Sequence, residues 1–456
     1  MTPPDYLDRL SAFAAALQHH ALPRETREQL GWILADTLGA IVGGSAEPEL
    51  RVMAQRVGGG RGAALIGLGM EASVQEAALI NGTAGTFLEM DEGNRFSRGH
   101  PAIHVLPAVL ALSEARDVDA HTFLAGLAVG YEVGSRLGAA AHLRSAMHPH
   151  GTWGTIGAAA GSARVLGADA ATMRETLNVA SSMSIATSKK TMLQGGLVRN
   201  LYAGLANGNG VLAAQLTPLG FTGEADGPSS LLGEIVSEHF DRAQVVRGLG
   251  DDWHLMHNYF KLHACCRFNH GALDALDLLA RRGDLPAAAD ITAIDVTSYR
   301  FAAELDERAP RNTLGAKFSV PFAVATRIVN GGSGLSSFTW DALRQPDVLA
   351  LSAKVTVRED PAMTARLPQE RPARVCIIDR LGHRHEAAVG VNRGDDSAPY
   401  SREELAHKFL ELCTRAWPRE HAQAVLQATL GLTDAAPGDR AAFRHWLALL
   451  RQPAAS

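Results

Sequence analysis

The sequence predicts a mainly α protein in which a large all-α helical domain, residues 1–262 and 398–456, is interrupted by a smaller α+β lid domain, residues 263–397. Three observations predict it. Apolar residues recur with a period of about 3.6 through most of the first half of the chain. Runs of β-branched residues with partial alternation are confined to a stretch after about residue 285. The helical period then returns from Ser401 onward. With 45 glycines and only 6% aromatics, the composition suits closely approaching helices better than a β-sandwich.

Taken in order, LDRLSAFAAALQHHAL places Leu7, Leu10, Phe13, Ala14 and Leu17 on one helical stripe. RETREQLGWILADTLGAIVGG continues through Leu30, Ile33, Leu34, Leu38 and Ile41, with a stop expected at Gly43-Gly44. Helices are expected over Val74–Glu89, Pro107–Glu114 and Ala120–Leu137, the last capped by Asp119. In TWGTIGAAAGSARVLG, Gly154, Gly157, Ala158 and Gly161 form a flat face for a neighbouring helix, and Asp169 caps the helix that follows. LVRNLYAGLANGNGVLAAQL reads as one more helix, and His121 and His142 as ordinary helix residues. ITAIDVTSY, SAKVTVRED and ARVCIIDR read as strands, with GHRHEAAVGV completing a hairpin on the last. Between them KFSVPFAVATRIVNG reads as a helix despite Pro321. REELAHKFLELCTRA, EHAQAVLQATLG and RAAFRHWLALL close the chain, followed by an expected frayed tail from Gln452 to Ser456.

A length of 456 residues favours two domains, or one large domain with a sub-domain. The formal net charge of −5 gives no reason to expect nucleic acid or an anionic membrane as partner, so an anionic substrate needs locally placed Arg, Lys or helix N-termini. The four cysteines, Cys265, Cys266, Cys376 and Cys413, form no CxxC pair, which argues against a disulfide framework or a thiolate zinc site. HExxH is missing, so the pairs His100/His104 and His148/His150 are read as non-metal, and no metal is expected. GGGRG at 58–62 lacks the third glycine and the preceding strand of a dinucleotide loop, and GxxxxGK[ST] and GxSxG do not occur, so no cofactor is expected. No run approaches the ~18 apolar residues of a membrane span, and MTPPDYLDRL lacks a basic-then-apolar leader, so the expected location is the cytoplasm.

Five stretches carry chemistry. FLEMDEGNRFSRGHPAIH, ending at His104, crowds Glu89, Asp91, Glu92, Arg95, Arg98, His100 and His104 between two helices. Acids beside imidazoles are tools for proton transfer near neutral pH, although a solvated polar loop fits the same composition. MHPHGTWGTIG places His148 and His150 before the small-residue helix, where Gly151 and Thr152 offer free N–H groups to a carboxylate, or form a plain capping turn. In QGGLVRNLYAG, Arg199 and Tyr202 share a face at a helix start, where dipole and guanidinium have the same sign. HNYFKLHACCRFNHGALDAL gathers Lys261, His263, Cys266, Arg267 and His270 at the expected domain junction, a favoured place for a small-molecule cleft. GAKFSVPFAVA opens a helix with Lys317 and Ser319, a weak signal by itself.

In this order and spacing, LEMDEG, GHPAIHVLPAVLALSE, GYEVGSRLG, HPHGTWGTIGAAA, the GG-to-LYAGLAN stretch, FKLHACCRFNHGALDAL and AKFSVPFAVA resemble the 2-methylcitrate dehydratase (MmgE/PrpD) family over nearly the whole chain. That family includes 2-methylcitrate dehydratases, cis-aconitate decarboxylases and iminodisuccinate epimerase. The resemblance implies a helical domain with an α+β lid, a homodimer and a cofactor-free site in the cleft between the two parts. It matches the family's acidic stretch to Glu89, Asp91 and Glu92, its two His-Pro histidines to His100 and His148, and its junction lysine to Lys261. Gly93 departs from a family threonine, Arg199 from a lysine, Tyr202 from a histidine, and Cys266 falls near a histidine of the decarboxylase branch. An Arg cannot donate a proton as a Lys can, so these departures weigh against a decarboxylase in particular.

The expected chemistry is that of a lyase of the 2-methylcitrate dehydratase type, with an epimerase or decarboxylase as the alternative. His100 or Asp91 removes a proton beside a carboxylate of a small di- or tricarboxylate, and His148 or Lys261 protonates the leaving hydroxyl. Glu89, Arg95, Arg199, Tyr202, Cys266 and Lys317 are the expected substrate-binding residues, with Lys261 also serving as a carboxylate cation.

Overall fold

The computed structural model describes residues 5–452, so all but the first residue of the expected frayed tail lies outside the described residues. The fold is mainly α. Its first half is a run of helices: α1 (Tyr6–Ala16), α2 (Arg24–Ser45), α3 (Pro48–Val57), α4 (Val74–Phe87), α5 (Pro101–Arg116), α6 (Ala120–Ala140), α7 (Trp153–Val165), α8 (Ala170–Ser182) and α9 (Leu201–Leu216). After α10 (His270–Arg282) comes a four-stranded sheet made of β1 (Ile291–Ser298), β2 (Val355–Glu359), β3 (Ala373–Asp379) and β4 (Arg384–Val389), with α11 (Val320–Val329) between β1 and β2. The chain ends with α12 (Arg402–Cys413), α13 (Arg419–Gly431) and α14 (Arg440–Leu450).

Two hydrophobic cores result. The first gathers the apolar stripes of α1–α9 with Leu405, Phe409, Phe443 and Trp446 of the terminal helices. The second lies against the sheet and takes in Leu273, Ile294, Phe322, Val375 and Ile377. Leu88, Met90 and Leu412 also belong to this second core, so the segment after α4 is anchored from the side of the sheet. The sheet order is β2-β1-β3-β4, with β2 parallel to β1 and the other neighbours antiparallel.

Local chemistry explains most boundaries. Asp119 and Asp169 accept the backbone N–H groups of Thr122 and Thr172 at 2.7 and 2.8 Å, so α6 and α8 start where the sequence marks them. The small-residue face of α7 lies on α6: a Cβ at Gly157 would come 2.9 Å from the Gly130 carbonyl, and one at Gly161 2.7 Å from the Gly126 carbonyl.

Some expectations are corrected. Helix α2 does not stop at Gly43-Gly44 but runs to Ser45, because these glycines serve close packing: a Cβ at Gly44 would strike the Ala84 carbonyl of α4. Helix α5 begins at Pro101, not Pro107. Pro107 would orphan the Ile103 carbonyl, but Asn207 of α9 donates to that carbonyl at 2.8 Å and accepts from Ala108 N–H at 2.9 Å, so the helix continues. LVRNLYAGLANGNGVLAAQL is a 3₁₀ turn, Leu197–Asn200, followed by α9. KFSVPFAVATRIVNG also divides: Lys317 ends a short turn, Thr313–Lys317, and Ser319 caps α11 by accepting from Phe322 N–H at 2.9 Å. Pro321 then falls in the first turn of α11, where its missing N–H costs nothing. His142 is not helical; it pairs with His239 in a short ribbon.

Among the described residues, four two-stranded ribbons were not legible in the sequence, and two of them position the site. Gly93–Asn94 pairs with Asn258–Tyr259, and Met147–His148 pairs with Thr187–Ser188. They tie the acidic loop to the segment holding Lys261, and fix His148 at the mouth of α7.

Candidate active site

The acidic loop begins where α4 ends. Glu89 occupies the left-handed position after the helix, with φ +56°, where glycine is usual. Arg98, near the far end of the loop, has the same left-handed φ. Each such residue costs about 1–3 kcal/mol, and such strain concentrates at functional sites. His100 is the N-cap of α5, followed by Pro101 at the first helical position. Glu92 stabilises the helix start: it accepts from Ala102 N–H at 2.9 Å and from the Tyr131 hydroxyl at 3.1 Å. Burial pushes the Glu92 carboxyl up to about 8.

The loop, the ribbons and the sheet-bearing part of the chain line a hollow of about 560 Å³. Glu89, His100, His148, His150, Arg199 and Cys266 line it from the expected set and its neighbours, and Arg98, Tyr259, Arg267 and Arg371 complete its polar wall. The imidazoles lie edge to face: the ring of His150 is 5.1 Å from His100, 4.7 Å from His104 and 4.7 Å from His148.

Backbone partners decide the tautomers. His100 Nδ1 donates to the Glu92 carbonyl at 2.7 Å, and Asp91 Oδ2 lies 3.0 Å from the same nitrogen. In the neutral ring, His100 Nε2 therefore carries the lone pair; it has no hydrogen-bond partner among the described residues and is left to the hollow. His148 is the reverse. Its Nδ1 accepts from His150 N–H at 3.1 Å and its Nε2 faces the Nε–H of Arg199 as an acceptor at 3.5 Å, so both ring nitrogens meet donors. Burial, reinforced by the Arg199 charge, holds His148 well below the usual imidazole range. His104 donates from Nδ1 to the His100 carbonyl at 2.7 Å and accepts from Gly151 N–H at 3.3 Å on Nε2, and burial lowers it to about 4.

Beneath Asp91 lies a second layer of charge. Lys261 Nζ is 3.4 Å from Asp91 Oδ1 and 3.9 Å from Glu89 Oε2, and its side chain has no exposed surface. Burial works against the ammonium, but Asp91 and Glu89 raise it above the ordinary lysine value. Burial likewise works against the Asp91 carboxylate, but His100 beside it, which turns its Nδ1–H toward it, and the Lys261 charge hold it below its usual range. Glu89 also pairs with Arg199. Behind this layer, Lys408 Nζ of α12 bonds Asp36 Oδ1 of α2 at 2.5 Å and the Met90 carbonyl at 2.6 Å.

Several expected site residues lie elsewhere or act differently. Lys261 is not on the wall of the hollow; it underlies Asp91 and Glu89, because two carboxylates buried together need a cation beside them. Arg95 faces away and pairs with Asp396 at 2.6 Å, so its charge is already used. Lys317 lines a separate cleft with Glu47 and Trp340, donates to the Phe87 carbonyl at 3.0 Å, and is lowered by burial to about 8. Tyr202 packs its ring 5.5 Å from His148 and supports that imidazole from outside the hollow. The N–H groups of Gly151 and Thr152 are taken by His104 and the Pro149 carbonyl, so that turn offers no open anion cradle. Arg199 lines the hollow with its charge engaged by Glu89. Burial pushes the Cys266 thiol up to about 12, so it is a neutral wall group.

Sequence reasoning missed Arg371 and Tyr259. Arg371 stands between strands with no motif around it. Tyr259 lies inside a flagged segment, and only its ribbon with Gly93 brings it to the hollow. Among the described residues, the one group spaced to hold an ion is His263, Asp274 and Asp277. His263 is bonded to Ser333 and Asp274 there, and Asp277 pairs with Arg327 at 2.7 Å, so these donors are occupied.

The MmgE/PrpD N-terminal domain model matches residues 8–229, and the C-terminal domain model matches residues 263–432. The chain is 25% identical to a cis-aconitate decarboxylase of Aspergillus terreus over 93% of each chain. It is 25% identical to the cis-aconitate decarboxylase-like protein oryM of Aspergillus oryzae over 82% of each. With the human cis-aconitate decarboxylase it shares 25% identity over 78% of this chain and 76% of the relative.

Proposed function

Because this chain belongs to the MmgE/PrpD family, we propose that it is a lyase acting on a small di- or tricarboxylate by proton transfer at a carbon beside a carboxylate, with loss of water. The observation that carries this reading is the imidazole of His100. Its Nδ1–H is held by the Glu92 carbonyl and Asp91, which leaves Nε2 as a base in the hollow. In the proposed step, Nε2 takes the α-proton and the C–H electron pair forms the new C=C bond. The C–O bond at the neighbouring carbon breaks, and the departing hydroxide takes the proton from the His100 imidazolium and leaves as water. Asp91 stabilises the transient imidazolium, and His148 lies on the same wall of the hollow. Arg199, which lines the hollow, stabilises negative charge that spreads into the substrate carboxylate, and Lys261 holds Asp91 and Glu89 in place beneath it.

Decarboxylation on the same site is the second reading, favoured by the names of the relatives. Proton NMR of methylcitrate, citrate, cis-aconitate and iminodisuccinate in deuterated buffer separates the outcomes. Water elimination gives a new alkene signal, decarboxylation gives carbon dioxide and a shortened product, and epimerisation gives solvent deuterium without net loss. His100→Ala should keep the fold and lose most turnover; full activity in that variant rejects the assignment. The same reading takes the chain as a homodimer, which light scattering tests against twice the 48.4 kDa chain mass.

A further inference from the structure

The hollow shares a wall with an outer one of about 740 Å³, and that wall carries two guanidinium groups with no carboxylate partner among the described residues. Arg98 and Arg371 line both spaces. The other cations there are engaged: Arg199 with Glu89, Arg267 with Asp395 at 2.8 Å, Arg95 with Asp396, and Lys189 with Glu304. Arg371 is 5% exposed, and its Nη1 is fully buried with no hydrogen-bond partner among the described residues.

The contrast with Arg267 is direct. Both guanidinium groups lie over the ring of Tyr259, Arg267 at 4.5 Å and Arg371 at 5.1 Å from its centroid. Arg267 has a carboxylate and Arg371 has none. A buried guanidinium with an unsatisfied N–H is costly, and a fold keeps one where an anion completes it. Arg98 adds a second cation on the same wall, held in the strained left-handed conformation. The ring of Tyr259 lies 6.3 Å from that of His100, so the two guanidinium groups are set beside the base but not on it.

We propose that Arg371, assisted by Arg98, anchors a second carboxylate of the substrate, remote from the carbon at which His100 works, and so selects polycarboxylates over monocarboxylates. The planar fork of Arg371 suits two parallel hydrogen bonds to one carboxylate. This rests on the polycarboxylate reading above.

Titration calorimetry with tricarballylate, which has three carboxylates and no hydroxyl to lose, tests it apart from turnover; butyrate and inorganic phosphate are the companion probes. Arg371→Met should weaken tricarballylate roughly 100-fold and leave butyrate unchanged, with Arg371→Lys intermediate. Arg98→Asn, a residue that tolerates the left-handed backbone, should weaken tricarballylate about 5- to 10-fold. Thermal melts check folding. If Arg371→Met does not fold, unchanged tricarballylate affinity in both Arg371→Lys and Arg98→Asn overturns the proposal. So does unchanged affinity in Arg371→Met, an equal loss of butyrate, tighter binding of phosphate than of tricarballylate, or no tricarballylate binding by the wild-type protein. Arg371-dependent binding without turnover of any polycarboxylate sinks the lyase reading and leaves this one standing. Turnover with Arg371-independent binding does the reverse.

Discussion

His100, His104 and His148 each have one ring nitrogen committed by a backbone neighbour. The Glu92 carbonyl commits His100 Nδ1 as a donor, and the His150 N–H commits His148 Nδ1 as an acceptor. Two histidines of the same type are thus set in opposite senses, one donating from Nδ1 and one accepting there. Asp91 is the residue on which the first depends, since it supplies the charge beside a transient imidazolium. Asp91→Asn keeps the shape and removes that charge. It should lower kcat by about 10²–10⁴-fold with KM changed less than threefold, measured on whichever polycarboxylate the wild type turns over. A kcat within a factor of two of wild type would show that His100 works without it.

At the scale of elements, the loop between α4 and α5 is held from behind by two helices far apart in sequence. Lys408 of α12 reaches both Asp36 of α2 and the Met90 carbonyl, one residue from Asp91. Both charges are buried; burial raises Asp36 and lowers Lys408 from their ordinary values. Lys408→Met leaves Asp36 unpaired and should cost about 3–5 kcal/mol in chemical denaturation. The double variant Asp36→Leu/Lys408→Met should recover most of that stability yet keep a reduced kcat, because the Met90 carbonyl remains unheld. Equal stability of the single and double variants would mean the pair is not coupled. The glycines of α2, α6 and α7 belong to the same scale: they let backbones meet and so set how close these helices bring the loop and the His148 turn.

For the whole molecule, acid sensitivity follows from buried imidazoles. His19 and His104 are lowered by burial to about 4 and His254 to about 3, while His148, His150 and His270 are driven well below the usual range, burial being the leading cause in each. Unfolding frees all six to bind protons below pH ~6.5, so the unfolded state takes up more protons than the native one and stability falls as pH falls. Glu92, Asp36 and Glu132, raised by burial, act the other way and are outnumbered. Each excess proton costs about 1.4 kcal/mol per pH unit. The melting temperature should fall steadily from pH 6.5 to 4.5, and a flat profile or a maximum near pH 5 would contradict the burial of these rings. Among the described residues, no helix is long and apolar enough to cross a membrane.

Periodicity and capping chemistry are local, so the sequence by itself determined the helical class, the strand-bearing segment after residue 285, the Asp119 and Asp169 caps, and the short list of acids and imidazoles from which the site is drawn. Where punctuation misled, at Gly43-Gly44 and Pro107, a distant partner cancelled the local signal: a glycine needed for packing, and an Asn207 side chain that satisfied the orphaned carbonyl. Only the tertiary structure decided which charges face the hollow. Arg95, Arg199 and Lys261 looked alike as carboxylate binders, and each proved to have a carboxylate of the chain beside it, whereas Arg371 looked like nothing and has none. Whether a cation is free for a ligand depends on which acid folds against it, and residues hundreds of positions apart settle that, as the pairing of Arg95 with Asp396 shows.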